Sequence, residues 1–316
     1  MALSREQRSQ IRQAVLRCRQ ILTEEFDQLL RQHGILPERI ISVPQDRQEV
    51  QRRLQEAISR EAADFREARE RYLKHAVFTF LNRLLALRVA EVNGLIVETV
   101  ATRPEYGDRS RRERDLSDEH PELATQPEKL AHEALRLAFS EMREKMNEHL
   151  LFRSDSPYAI LMPRLPAYRQ IREVLMGLPE DVWHEFELLG WAYQFFNSEE
   201  REQIRRRLRR NPNPDDIPPL NQFYTVGWIV KVLVQNTLGR LWLEAHPNSP
   251  LREKLDYFVP VQNNFRPPNR SLSVQEIKVL DPACGSGHFL LGAFDLLFEM
   301  WCEERPDLPK WQIPAL

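Results

Sequence analysis

Apolar side chains recur every three to four residues through most of the first two hundred positions, the spacing of helices that bury one face. The pattern predicts helices over about 4–33, 46–99, 127–150 and 179–196. In the second of these, Tyr72, Ala76, Val77, Phe80, Leu84, Leu87 and Ala90 trace one face, with Arg83, Arg88 and Glu91 set into it. Arg88 and Glu91 stand three apart, close enough to pair on a helix, so a structural ion pair is their expected role. The first helix opens at Ser4, with Gln7 completing a capping-box pattern. The periodicity fails in four places. Residues 34–45 hold two prolines, and 102–126 are charged, proline-punctuated and expected to form a mobile connection. Residues 154–166 are apolar but interrupted by proline, which predicts an ordered loop, and 211–219 (NPNPDDIPP) carry four prolines. That last stretch is the expected boundary between a helical domain, 1–211, and a second domain, 212–316.

Beyond the boundary, 221–244 (NQFYTVGWIVKVLVQNTLGRLWLE) put Thr225 at an expected helix N-cap, followed by apolar Ile229, Val230, Leu233, Val234, Leu238, Leu241 and Trp242. Residues 277–301 (IKVLDPACGSGHFLLGAFDLLFEMW) read differently. Ile277, Val279 and Leu280 predict a buried strand broken at Asp281-Pro282, and Leu290, Phe294, Leu297, Phe298 and Trp301 predict a helix face. Between them Gly285 and Gly287 let the backbone turn tightly and approach a ligand with no Cβ in the way. A helix that starts after such a turn presents unpaired N–H groups and a partial positive charge, which suits an anionic group. A dinucleotide fingerprint would need a third glycine where Leu290 stands, which disfavours a nicotinamide-dependent oxidoreductase. No Gly-Lys-Ser/Thr phosphate loop occurs either.

The string Asp281 to Leu290, DPACGSGHFL, resembles the first cofactor motif of the amino-group DNA methyltransferases, which bind S-adenosylmethionine. Phe223-Tyr224-Thr225 is similar to the Phe-Tyr-Thr-Pro segment that precedes this motif in such enzymes, where the threonine region touches the methionine end of the cofactor. Val226 replaces the usual proline, whose main effect at a helix start is to pre-set φ. Residues 72–95 (YLKHAVFTFLNRLLALRVAEVNGL), 187–197 (ELLGWAYQFFN) and 237–242 (TLGRLW) narrow the resemblance to the large PglX-type methyltransferases of BREX phage-defence systems.

The resemblance implies a mainly α-helical N-terminal domain followed by the first part of an α/β Rossmann-like methyltransferase domain. It implies S-adenosylmethionine held by Phe223, Tyr224, Thr225, Asp281, Pro282, Ala283, Cys284, Gly285, Ser286 and Gly287, and methyl transfer to the exocyclic amine of adenine in double-stranded DNA. Such enzymes localise the amine lone pair and stack the flipped base with an Asn/Asp-Pro-Pro-Tyr/Phe loop. No such loop occurs in these 316 residues, and 36 residues from Asp281 onward are too few for the remaining sheet or its ribose-binding acid. The catalytic residues are therefore expected off this chain: either a second polypeptide, such as a downstream methyltransferase fragment, supplies the remainder, or the gene is split or truncated, with other defence-system proteins as further partners. The competing reading is a non-catalytic DNA-binding or assembly subunit with a vestigial cofactor motif.

Composition changes this picture only locally. Net charge is −2, with 42% hydrophobic residues, enough for a packed core and without an overall basic bias. Cys18, Cys284 and Cys302 are too few and scattered for a disulfide framework or a zinc ligand set, and Cys284 reads as a small loop residue rather than a nucleophile. With no apolar run of bilayer length, a cytoplasmic protein without a membrane partner is expected. Local charge is more specific. In 201–210 (REQIRRRLRR), Arg205, Arg206, Arg207, Arg209 and Arg210 are candidate contacts to DNA phosphates, the alternative being a solvated helix face. A second cluster, RSRRER at 109–114, admits the same two readings.

Overall fold

Helices make up nearly all of the regular structure. The computed structural model describes residues 3–146, 150–185, 187–207, 212, 217–221, 223–260 and 272–310. Among them no β-strand forms beyond two isolated bridges, Ile35 with Ile40 and Arg103 with Arg109. The chain divides into two compact units, Leu3–Phe196 and Asn197–Leu316. The proline-rich stretch 211–219 lies mostly outside the described residues, and the arginine-bearing helix ahead of it falls in the second unit.

The first unit contains α1 (Arg5–Gln32), α2 (Gln45–Ile58), α3 (Phe65–Val92), α4 (Arg111–Glu119), α5 (Pro121–Ala124), α6 (Pro127–Lys145), α7 (Leu165–Met176) and α8 (Glu187–Phe196). Ser4 Oγ accepts from the Gln7 N–H while Gln7 Oε1 accepts from the Ser4 N–H, the capping box that starts α1. The single helix expected over 46–99 is two, because Asp64 caps a new start by accepting from the Glu67 N–H at 2.9 Å. The face of α3 is buried as expected, from Tyr72 through Ala90, and α1 packs across it beside α7 and α8. Arg88 does pair with Glu91, at 3.4 Å. Glu91 does more than that, since its carboxylate also accepts the backbone N–H groups of Thr99, Val100 and Ala101, fastening the chain that leaves α3.

The expected mobile connection at 102–126 is instead largely helical. Two of its charges, Arg112 and Glu113, are paired inside the unit, while Arg111, Arg114 and Asp118 stay exposed. Glu113, buried on α4, accepts both arms of Arg172 from α7 at 3.1 and 2.8 Å, and Arg172 Nε donates to the Val100 carbonyl. Arg112 likewise pairs with Glu141 of α6. Helix α7 itself starts with proline in its first turn, a position the missing N–H does not disturb.

The second unit contains α9 (Ser198–Arg207), α10 (Ile217–Asn221), α11 (Gly227–Val234), a π-helical turn (Gln235–Gly239), α12 (Arg240–Ala245) and α13 (His288–Glu304). The π turn joins α11 to α12 as one continuous rod, whose Val230, Val234, Leu238 and Trp242 pack against Ala293, Leu296 and Met300 of α13. Gly292 permits this crossing, because a Cβ there would come within 2.7 Å of Val230 Cγ1. Side chains of the rod also hold an extended strap. Gln235 Oε1 accepts the Tyr257 N–H, Asn236 bonds both the Tyr257 carbonyl and the Val259 N–H, and Arg240 donates to the Val259 carbonyl.

Two expectations need correction here. Residues 277–281 are extended but form no strand, since a strand requires a neighbour and no described residue supplies one; Leu280 is 87% exposed. The buried face of α13 is also rotated from the expected one, leaving Leu290 and Phe294 exposed. Both faces of this helix are apolar, so periodicity alone does not select between them.

Candidate cofactor site

The site begins with a turn that only its particular residues can make. Asp281 Oδ1 accepts the Ala283 N–H at 3.1 Å, folding the chain back over Pro282, and the Gly287 N–H donates to the Cys284 carbonyl at 2.7 Å. Gly285 and Gly287 have φ of 54° and 78°, the left-handed region that disfavours any Cβ. Space above them is open, since a Cβ on Gly287 would meet nothing within 4 Å. Helix α13 then starts at His288 with no side chain capping it. Pro282, Ala283, Cys284, Gly285 and Ser286 are exposed, while Asp281 Oδ2 is buried without a hydrogen-bond partner among the described residues. The turn thus combines exposed glycine backbone, an uncapped helix start and an unengaged carboxylate oxygen.

The upstream segment meets this turn. Phe223 is exposed, Tyr224 is buried and Thr225 is half-buried. Thr225 is not the N-cap expected from its hydroxyl. Val226 occupies that place, in extended conformation, with its carbonyl accepting the Ile229 N–H and no side-chain cap. The Thr225 carbonyl is engaged instead by His288, the first residue of α13, at 2.5 Å from Nδ1. A carbonyl only accepts, so Nδ1 carries the proton, and in the neutral ring Nε2 is left to accept from the Tyr224 hydroxyl, 3.0 Å away. The two rings stack with centroids 4.5 Å apart. Reading residues one by one does not reveal His288, because its partners lie more than sixty positions upstream; its place immediately after Gly287 was the only available signal.

Of the candidate DNA-contacting arginines, Arg205, Arg206 and Arg207 are exposed on α9, and Arg209 and Arg210 lie outside the described residues. The cluster reaches the Phe223–Thr225 segment through Phe223, whose ring is approached by the guanidinium groups of Arg201 at 5.1 Å and Arg205 at 6.0 Å. Burial, and secondarily the charge of Arg205, holds the Arg201 pKa below its usual value. Arg206 pairs with Glu202 at 3.8 Å. Among the described residues no group of acids, histidines or cysteines is arranged to hold a metal, and no helix is long and apolar enough to cross a membrane.

The chain is 32% identical over 275 residues to the adenine-specific methyltransferase BrxX of Escherichia coli O9:H4, a match covering 74% of this chain and 21% of that protein. It is 30% identical over 271 residues to the adenine-specific methyltransferase PglX of Lacticaseibacillus casei, covering 73% and 22%. This chain is a relative of the PglX-type adenine-specific methyltransferases. A third protein of that type, PglX of Streptomyces coelicolor, is 25% identical over 224 residues, covering 70% of this chain and 16% of that one. The chain thus spans about a fifth of the length of the curated relatives it matches. No family model matches it.

Proposed function

We propose that this PglX-type chain carries the opening cofactor-binding unit of an adenine-specific DNA methyltransferase acting in a BREX-like phage-defence or restriction-modification system. Phe223, Tyr224, Thr225 and the turn Asp281, Pro282, Ala283, Cys284, Gly285, Ser286, Gly287 would hold S-adenosylmethionine. The observation that carries the reading is the meeting of these two segments: His288 ties the Phe-Tyr-Thr stretch directly to the glycine turn. The residues present fit the group. An uncapped helix start suits its carboxylate, the positive-φ glycines leave room for close backbone approach, and Asp281 Oδ2 offers an unengaged acceptor for an amine or hydroxyl. Bound there, the cofactor would supply an electrophilic methyl group on a sulfonium.

In this reading 272–304 is the start of a Rossmann-like layer. The exposed Val279, Leu280, Leu291 and Phe294 are the apolar surface that the rest of such a layer would cover. The chain contains no Asn/Asp-Pro-Pro-Tyr/Phe loop, so it binds and orients the cofactor while residues elsewhere hold the adenine, and it is not competent for transfer by itself. Calorimetric titration of S-adenosylmethionine into the full chain tests the site. Binding is expected for the wild type and is expected to be lost in Asp281→Ala, which removes the acceptor, and in Gly287→Leu, which fills the approach and strains a φ of 78°. Equal affinity in both variants would remove the site assignment.

A further inference from the structure

We propose that His288 is a positioning residue that latches the two walls of the cofactor cradle together. This rests on the cofactor reading above for its consequence, but not for its geometry. The imidazole is 6% exposed and sits where a single side chain can engage both segments at once. Nδ1 donates to the Thr225 carbonyl and Nε2 accepts from the Tyr224 hydroxyl, while the ring lies flat on the Tyr224 ring at an interplanar angle of 22°. The ring thus bonds the main chain at one nitrogen and meets a single side chain, Tyr224, through both its face and the hydroxyl. Together these contacts leave Tyr224 and Thr225 little freedom relative to Gly287, the residue immediately before His288. The bond to Thr225 is made to the main chain, so it acts whatever side chain stands at that position. It also compensates for a missing restraint, because Val226, in place of a proline, leaves the start of α11 without a ring-locked φ.

A residue that only filled space would be replaceable by one of similar volume. A latch is not, because it depends on where the donor and acceptor stand. Asparagine at 288 can place an amide N–H near the position of Nδ1, leucine offers volume without polarity, and Tyr224→Phe keeps the ring contact while deleting the hydroxyl. The test uses the full chain of the wild type, His288→Asn, His288→Leu and Tyr224→Phe. It measures amide hydrogen exchange by mass spectrometry together with calorimetric titration of S-adenosylmethionine. In His288→Leu, exchange is expected to rise at 224–227 and 285–289 together, with the first unit unchanged. Cofactor affinity is expected to fall by roughly tenfold or more, with His288→Asn recovering a substantial part and Tyr224→Phe lying between. Unchanged exchange in these peptides, or leucine matching asparagine in both measurements, would overturn the latch. If the wild type binds no cofactor, the cofactor reading fails and exchange alone decides the latch: a joint rise in His288→Leu keeps it, and no rise removes it.

Discussion

Single residues in the first unit show how a chain of balanced charge can bury part of that charge. Burial alone would raise the Glu25 carboxyl, but hydrogen bonds from the Arg164 guanidinium and backbone N–H, with the guanidinium charge, hold it below its usual range. Asp27 is held down in the same way, against burial, by Arg31 and Arg69. Carboxylates whose folded pKa lies below the unfolded one stabilise fully above the unfolded value and lose that contribution as pH falls through the folded one. The melting temperature of the first unit is therefore expected to drop as pH falls below about 4, where unfolded carboxylates titrate. Asp27→Asn should melt lower at neutral pH and show a shallower acid limb; a limb as steep as the wild type's would argue that Asp27 does not contribute to it. This pairing also explains what was hard to read from the chain. The acid and base residues at 109–114 look solvated in isolation, and only the fold brings Glu113 to Arg172 and Arg112 to Glu141. The glycine turn was legible because its chemistry is local, within ten residues. His288 was not, because its role exists only once two distant segments meet.

At the scale of elements, the second unit depends on how closely α11 approaches α13. Alanine at 292 would normally gain about 1 kcal/mol of helix propensity over glycine. Here its Cβ would press to 2.7 Å on a methyl of Val230, whose β-branched side chain has few rotamers to escape into. Gly292→Ala is expected to destabilise by about 1–3 kcal/mol in denaturant unfolding. Adding Val230→Ala should make the second change less harmful than it is alone, the coupling expected of touching groups. Strict additivity of the two would mean that the helices do not meet there. Helix existence was legible throughout most of the chain, but boundaries and faces were less so. Asp64 starts a helix inside an unbroken periodic run, and α13 carries apolar residues on both sides, so that Phe294 was expected inside where Ala293 and Leu296 are found.

For the whole molecule, the division after Phe196 places α9 in the same unit as the segments at 223–225 and 281–287 that are proposed to hold the cofactor. Arg205, Arg206 and Arg207 are exposed there, with Arg206 paired to Glu202 and Arg205 approaching the Phe223 ring. If they contact DNA, changing the three to glutamine should weaken duplex binding by the full chain at all sequences. The salt dependence should become shallower by roughly 0.9 in log–log slope per lost contact, because each contact releases condensed counterions. Salt titrations of wild type and variant check this, and an identical slope would return the cluster to a solvated helix face.

The π turn has a consequence for how this unit tolerates change in chain length. Val230, Val234, Leu238 and Trp242, all buried, repeat every fourth residue, not every 3.6. In an unbroken α-helix each such step would rotate the next side chain about 40° further, so Trp242 would end about 120° away from the line of Val230. The wider turn at 235–239 unwinds the rod where that drift would accumulate and returns the tryptophan to the face shared with α13. Straightening the turn into ordinary helix at unchanged length would swing Trp242 off that face, whereas removing one residue there leaves a spacing of eleven, about 20° from alignment, so the core contact is expected to survive the deletion. This stretch therefore serves the core through the phase of the rod, and serves the strap through the side chains of Gln235 and Asn236.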